Sequence, residues 1–322
     1  MTRWGILGPG HIAQKFAKDL QTLPDAQLYA VASTDQQRAD GFAQEYGMTH
    51  SFGTYDGLLT LPDLDVVYVA TPHVKHYDNV MMLLNGGVAV LGEKPFAMNG
   101  SQVREMADTA RAKQVFLMEA LWSQFMPVLQ RAKQLVSDGA IGTVTGVRAD
   151  FGFAAPFLPD RRLFNKSLGG GSLLDIGIYP LFWSYLMLGM PERVKASAIF
   201  GETGVDEQCG MVLTYPNGEL AMLDSTLRTK TPCEAFVFGT NGQIRVHSRW
   251  HETESLTLER NGHDPETITI PRQTFGYDYE AAHVMQCLAE GRTESPVWSL
   301  NDSLNLMTLL DTVRAEAGIV YE

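Results

Sequence analysis

The chain has 322 residues, 45% hydrophobic and 19% charged, with 30 glycines and 15 prolines. That is the balance of a folded globular chain and excludes collagen-like, low-complexity and disordered classes. Lysine and arginine number 25 against 37 aspartates and glutamates, a net charge of −12. Phosphate backbones and anionic bilayers would be repelled, so neither nucleic acid nor membrane is expected as a partner.

The three cysteines, Cys209, Cys233 and Cys287, form no C-x-x-C pair, and an odd count fits no closed disulfide framework. Thiols in a reducing compartment are expected. No run approaches the ~18 apolar residues of a membrane-spanning helix. Met1-Thr2-Arg3-Trp4 leads straight into a strand-like segment, with no signal-peptide pattern. A cytoplasmic location follows as the expectation.

The first ~120 residues alternate between two periods. Trp4 to Leu7 is a short apolar run, and Ile12, Phe16 and Leu20 then mark one helical face. Leu28 to Ala32 is a second strand, and Gln36 to Tyr46 a helix stopped by Gly47. Asp65 to Ala70 is a continuous strand, followed by a helix through Val80 to Leu84. Val88 to Leu91, Ser101 to Ala112 and Val115 to Met118 read as strand, helix and strand. Fully apolar strands alternating with helices predict a parallel sheet covered on both faces.

The pattern changes after Gln124. A helix over Val128 to Val136 precedes longer strands at Val144 to Phe153, Val194 to Phe200, Gly210 to Tyr215 and Glu219 to Leu227. Thr240-Asn241-Gly242-Gln243 between two apolar runs is a hairpin signal. Two more strands and helices over about Tyr277 to Glu290 and Leu300 to Ala317 complete an α+β domain with a large, mostly antiparallel open sheet. The expected division is 1–123 and 124–322. One face of the second sheet lacks a helical cover, so a homo-oligomer joined through it is expected, a dimer first.

Five motifs carry chemistry. Gly8-Pro9-Gly10-His11-Ile12-Ala13, between the first strand and helix, matches the dinucleotide fingerprint in its alanine form. Gly8 permits the turn, Gly10 admits a pyrophosphate, and free N–H groups at the helix start hold it. At the tip of the second strand, Ser33 and Thr34, with Arg38 following, suit a 2′-phosphate and point to NADP. Asp35 beyond them keeps NAD open.

Ala70-Thr71-Pro72-His73, with His76, lies at the carboxyl end of a central strand, where open α/β sheets bind ligands. Glu93-Lys94-Pro95 follows the next strand. A lysine there suits a substrate oxygen, Glu93 a ribose, and Pro95 a cis bond. Last, Gly169-Gly170-Gly171 leads to Asp175 and Tyr179, four apart and thus on one face of a helix. A metal site at His247-x-x-x-His251 is disfavoured, because strand and turn would not converge the two rings.

In this order the motifs resemble the Gfo/Idh/MocA oxidoreductase family over nearly the whole chain. Tyr179, Met118 to Phe125, Arg162-Leu163-Phe164 and the tail from Tyr279-Glu280 through Asp302 to Leu304 are similar to its dihydrodiol and D-xylose dehydrogenase branch. The sequence departs at His73, where asparagine is frequent, and at Thr34, where arginine is common in NADP users. The resemblance implies a Rossmann domain and hydride transfer between NAD(P) and a sugar, polyol or cyclic trans-diol. It implies Tyr179 as general acid–base, assisted by Lys94, whose ammonium would lower the phenol's reference pKa of ~10. Asp175 would orient Lys94 or a substrate hydroxyl, and His76 would complete the site. Trp122, Phe125, Phe153 and Arg162 are candidate pocket residues. A non-catalytic NAD(P) sensor on the same fold is the alternative.

Overall fold

The structure is a computed structural model describing residues 1–321. The chain divides into two units: Met1–Trp122 with Gln273–Leu304, and Ser123–Arg272 with the residues from Asn305 on.

The first unit alternates as the apolar pattern predicts: β1 (Thr2–Leu7), α1 (His11–Leu20), β2 (Ala26–Ala32), α2 (Gln36–Tyr46), β3 (His50–Phe52), β4 (Val66–Val69), α3 (His76–Asn85), β5 (Ala89–Glu93), α4 (Gly100–Lys113) and β6 (Leu117–Ala120). All strands are parallel, in the order β3-β2-β1-β4-β5-β6. The order reverses between β1 and β4, which opens a crevice at their carboxyl ends. Strand β4 is buried throughout, so its four residues needed no alternation. Strand β3 escapes sequence reading because three half-buried residues make no apolar run. Helix α1 buries Ala13, Phe16, Ala17 and Leu20, and the Phe16 ring stacks on Tyr68 of β4 at 3.9 Å. Helix α2 starts on the Asp35 carboxylate, which accepts from the Gln37 and Arg38 N–H groups, and stops at Gly47 with φ 68°.

The second unit holds α5 (Pro127–Ser137), β7 (Val144–Gly152), α6 (Ile178–Leu188), β8 (Arg193–Phe200), β9 (Asp206–Thr214), β10 (Leu220–Thr226), β11 (Ala235–Gly239), β12 (Gly242–Val246), β13 (Ser255–Arg260) and β14 (Glu266–Thr269). Its eight strands run β14-β13-β12-β11-β7-β10-β9-β8. Every pairing is antiparallel except β7 with β10. Gly239 pairs with Gly242, so the predicted hairpin closes on Thr240-Asn241. Helix α6 lies on one sheet face, where the Trp183 indole donates to the Phe236 carbonyl at 3.1 Å and packs 5.6 Å from Trp250. The segment 166–188 is long enough, and in its 18-residue window apolar enough, to cross a bilayer, contrary to the sequence reading, but 78% of that window is buried inside the protein.

Two expectations need correction. Asp175 does not sit on an α-helix with Tyr179: Leu173–Gly177 forms a wide π-turn, and α6 begins only at Ile178. Pro180 has no N–H to donate and its ring crowds the carbonyl four residues back, which favours a wider turn just before it. The second correction concerns the domain boundary. Helix α7 (Tyr277–Ala289) and the first residues of α8 (Leu300–Ala317) group with the first unit, although the sequence places them in the second. A long-range cap is one of the ties that join them to the first unit. Gly276, at the N-terminus of α7, has no side chain to offer. The buried Asp19 carboxylate of α1 instead accepts from Phe275 N–H at 3.0 Å and Tyr277 N–H at 2.8 Å.

Replacing Asp19 with Ala strands both donors and should cost about 1–3 kcal/mol of stability. Denaturant unfolding measures this loss, and Asp19→Asn, which keeps an acceptor, should lose less.

Candidate active site

The turn after β1 is built for an anion. Gly8 has φ +93°, and a Cβ there would stand 3.0 Å from the Ala70 carbonyl oxygen and the Thr71 methyl. Only glycine lets the two central strand ends come this close. A Cβ on Gly10 would meet nothing within 4 Å, so the space beside it is open to a ligand. Gly10 is also the N-cap of α1, whose first turn has no side-chain cap and no acidic residue. Exposed His11 and half-buried Pro9 and Ile12 line this start. The positive helix end therefore remains available for a phosphate. A dinucleotide's pyrophosphate fits this set.

At the tip of β2, Ser33 is buried and its hydroxyl accepts from Asp35 N–H at 3.2 Å. The Asp35 carboxylate caps α2 through Oδ1, which accepts from both the Gln37 and Arg38 N–H groups, so the cap does not remove this exposed acid from the ribose role that keeps NAD open. Thr34 and Arg38 are exposed beside it. After β4, Thr71 accepts from Asn79 Nδ2 at 3.0 Å, Pro72 is exposed and His73 is buried. The two ring nitrogens of His76 face the Pro95 carbonyl at 2.8 Å and the Thr71 carbonyl at 2.7 Å. These contacts make His76 a brace between the two strand-end turns and leave neither nitrogen for a substrate proton, contrary to its expected catalytic part.

The Lys94 turn is clamped by buried carboxylates. Lys94–Pro95 is a cis peptide, as the sequence suggests. Glu93 turns inward instead of toward a ribose: its carboxylate accepts from the Tyr68 hydroxyl and, at 3.1 Å, from Lys94 N–H. Glu119 of β6 accepts from Phe96 N–H at 3.1 Å and from the Trp298 indole at 3.2 Å. Burial pushes its carboxyl up to about 7. Glu280 of α7 is wholly buried with both oxygens lacking a hydrogen-bond partner, and burial, then Glu93 and Asp19, raise its carboxyl well above the usual range. Trp122, a candidate pocket wall, stacks on Tyr277 at 4.7 Å.

In the second unit, Tyr179 is 5% exposed and packs against Phe151 and His251, at 5.4 and 5.2 Å between ring centroids. Phe151 and His251 stack at 4.3 Å, so the phenol sits in an aromatic cluster. Asp175 is bound by Arg162 at 2.6 Å, which ties two candidate site residues to each other. That pairing gives Asp175 a partner within its own unit. Phe153 packs against the apolar cluster of Phe164, Ile176, Val205 and Leu227, while Phe125 is half-buried. His247 faces the hydroxyls of Ser255 and Thr257 at 2.7 and 2.8 Å.

Sequence reading gives no site role to Tyr68, Glu119 or Glu280, and weighs His251 only as a metal ligand. Glu119 left a signal, an acid inside an otherwise apolar strand.

Residues 2–121 match the model of an oxidoreductase family with an NAD-binding Rossmann fold, and residues 129–245 match the GFO/IDH/MocA C-terminal domain. Trans-1,2-dihydrobenzene-1,2-diol dehydrogenase of Xenopus laevis is 40% identical, with 99% of both chains covered. The Homo sapiens protein of that name is 35% identical over 99% of this chain and 98% of its own. A 3-ketoreductase from Actinomadura kijaniata in complex with NADP and TDP-benzene superimposes with a TM-score of 0.89 at 27% identity, with 98% of each chain covered. An aldose-aldose oxidoreductase from Caulobacter crescentus complexed with glycerol gives 0.90 at 25% identity, covering 98% of this chain and 97% of its own.

Glu119 generates a pH prediction. The folded chain holds this proton more tightly than the unfolded chain, whose carboxyl has the ordinary value of 4.5. The stabilisation is complete below that value and is lost as pH rises through about 7, a change of roughly 3 kcal/mol. Melting temperature should therefore fall between pH 5 and 8, and Glu119→Gln should start lower but fall less.

Proposed function

The chain belongs to the Gfo/Idh/MocA oxidoreductase family, and from that premise we propose that it moves a hydride between NADP(H) and a hydroxyl-bearing carbon of a cyclic trans-diol or sugar. The observation that carries the cofactor half is the uncapped start of α1 behind Gly8 and Gly10. Gly8, Gly10 and the α1 N–H groups would hold the pyrophosphate. Ser33, Thr34 and Arg38 would hold the 2′-phosphate, while Asp35, which caps α2 through Oδ1 alone, keeps NAD open as the second cofactor. The dihydrodiol dehydrogenase relatives and the NADP-bound ketoreductase support both halves of the reading.

When bound, the nicotinamide would supply the hydride acceptor and donor. The remaining work is proton transfer. Tyr179 takes the proton of the substrate hydroxyl during oxidation and returns it during reduction. Lys94 supplies the positive charge that favours phenolate. The rings of Phe151 and His251 packed on Tyr179 would limit water there and suit the flat face of a cyclic substrate. Asp175, neutralised by Arg162, shapes the approach to Tyr179. His76 braces the Thr71 and Pro95 turns.

The outer face of the second sheet exposes Ile199, Val212, Leu220 and Met222. A homodimer joined through that face accounts for an apolar surface that water would otherwise meet. Three buried free cysteines support a cytoplasmic setting.

Turnover of NADP and NAD with a panel of trans-diols and sugars tests the reaction. Tyr179→Phe should remove nearly all activity while NADPH still binds; wild-type turnover by this variant would refute the assigned role. Arg38→Ala should weaken NADPH about tenfold and leave NADH unchanged. Light scattering at micromolar concentration should give twice the chain mass.

A further inference from the structure

We propose that Asp206 is a positioning residue for the proton-transfer step: it anchors the wide turn from which the Tyr179 helix springs. The inference rests on the role given to Tyr179 above and extends it to a residue two strands away from any motif.

Asp206 opens β9 and is completely buried. Its Oδ2 accepts from Leu173 N–H at 2.7 Å and from the Ser172 hydroxyl at 3.0 Å. The Ser172 hydroxyl also lies 3.0 Å from the Ser225 hydroxyl of β10. The first residue of the π-turn is thus fixed to one strand directly and to its neighbour through a serine. Four residues on, a Cβ at Gly177 would stand 2.9 Å from the same Ser225 hydroxyl, so both ends of the turn close on one point of the sheet. Asp175 lies inside this turn and Tyr179 just beyond it.

Gly171 reports how tight the anchor is. A Cβ there would be 2.1 Å from Asp206 Oδ1, and its φ of +122° already excludes ordinary side chains. A fully buried carboxylate is a costly way to fasten a turn that apolar packing could also hold. What it adds is direction: charge-assisted bonds fix the turn to a defined point, and the placement of Tyr179 follows from it. A π-turn is a local departure from regular helix that persists only where its surroundings determine it.

The anchor also carries a pH signature. Burial pushes the Asp206 carboxyl up to about 6, against the opposing hydrogen bonds of Leu173 and Ser172. Several titratable groups surround it. On its own strand are Glu207, which pairs with Arg228, and Cys209. The turn carries Asp175, held by Arg162. Tyr321 faces it from the far end of the chain, with the Arg314 guanidinium 4.8 Å over the Tyr321 ring. Residues Phe200 of β8 and Ser225 of β10 bring no charge. Both bonds fall on Oδ2, and Oδ1 has no hydrogen-bond partner; a proton taken up there as pH falls through about 6 removes the charge that strengthens the two bonds, and the anchor weakens.

The test is kcat and KM against pH for wild type, Asp206→Asn, Ser172→Ala and Tyr179→Phe, with NADPH affinity measured for each. Wild-type kcat should fall on the acid side near pH 6. Asp206→Asn should lower kcat at neutral pH by about 10- to 100-fold, the cost of an ångström-scale misplacement, and should lose that acid limb. Its NADPH affinity should stay within about twofold of wild type, since the cofactor groups lie elsewhere. Ser172→Ala, a milder change, carries the test if Asp206→Asn does not fold, and should lower kcat with the same unaltered NADPH affinity. Wild-type kcat in both variants, or an acid limb that survives in Asp206→Asn, overturns the inference while an inactive Tyr179→Phe leaves the Tyr179 role standing. Full activity in Tyr179→Phe overturns both.

Discussion

Two buried carboxylates hold the turn that presents Lys94. Glu93 closes β5 by accepting from Tyr68 and from the Lys94 backbone, and Glu119 accepts the Phe96 N–H two residues further on. A turn with both flanks tied to the sheet leaves its lysine little freedom beyond its own side-chain rotamers. Because the ties are carboxylates in a dry interior, each must have every available donor in place. That requirement reaches outward: Glu119 recruits the Trp298 indole from the segment that returns late in the chain. Much of the first unit is arranged around keeping these acids satisfied.

The charge of the molecule and the charge of its ligand look mismatched. A chain of net −12 receives a nucleotide bearing several negative phosphates. The structure resolves this locally, with backbone N–H groups and a helix end rather than with surface lysines. Gly8 lets the ends of β1 and β4 approach and the space beside Gly10 is open, so the cradle is made by backbone rather than by charged side chains.

Much of the fold could be read from local pattern. Helix α8 has the limits its apolar spacing suggests, the Gly8 turn falls between strand and helix, and the Asn241-Gly242 signal does close a hairpin. These features depend on residues close together in the chain. The unreadable part depends on pairs far apart. Nothing near Asp19 says that it will cap a helix at Tyr277, and nothing near Asp206 says that it will receive the Leu173 N–H. With 37 acidic residues, sequence does not say which few lose their water. The π-turn is hidden for the same reason: Pro180 signals disturbance, but its width is set by partners on β9 and β10. Glu93 was assigned to a ribose because its position is right, and the interior hydroxyl of Tyr68 claimed it first.

The return of Gln273–Leu304 to the first unit has a bearing on how the protein is born. A ribosome releases Met1–Trp122 long before it reaches α7, and throughout that interval the Asp19 carboxylate has no helix to cap. The bonds that join Asp19 to Phe275 and Tyr277 therefore form only after all of Ser123–Arg272 has emerged, so the first unit closes on a segment made some 150 residues later than its own sheet.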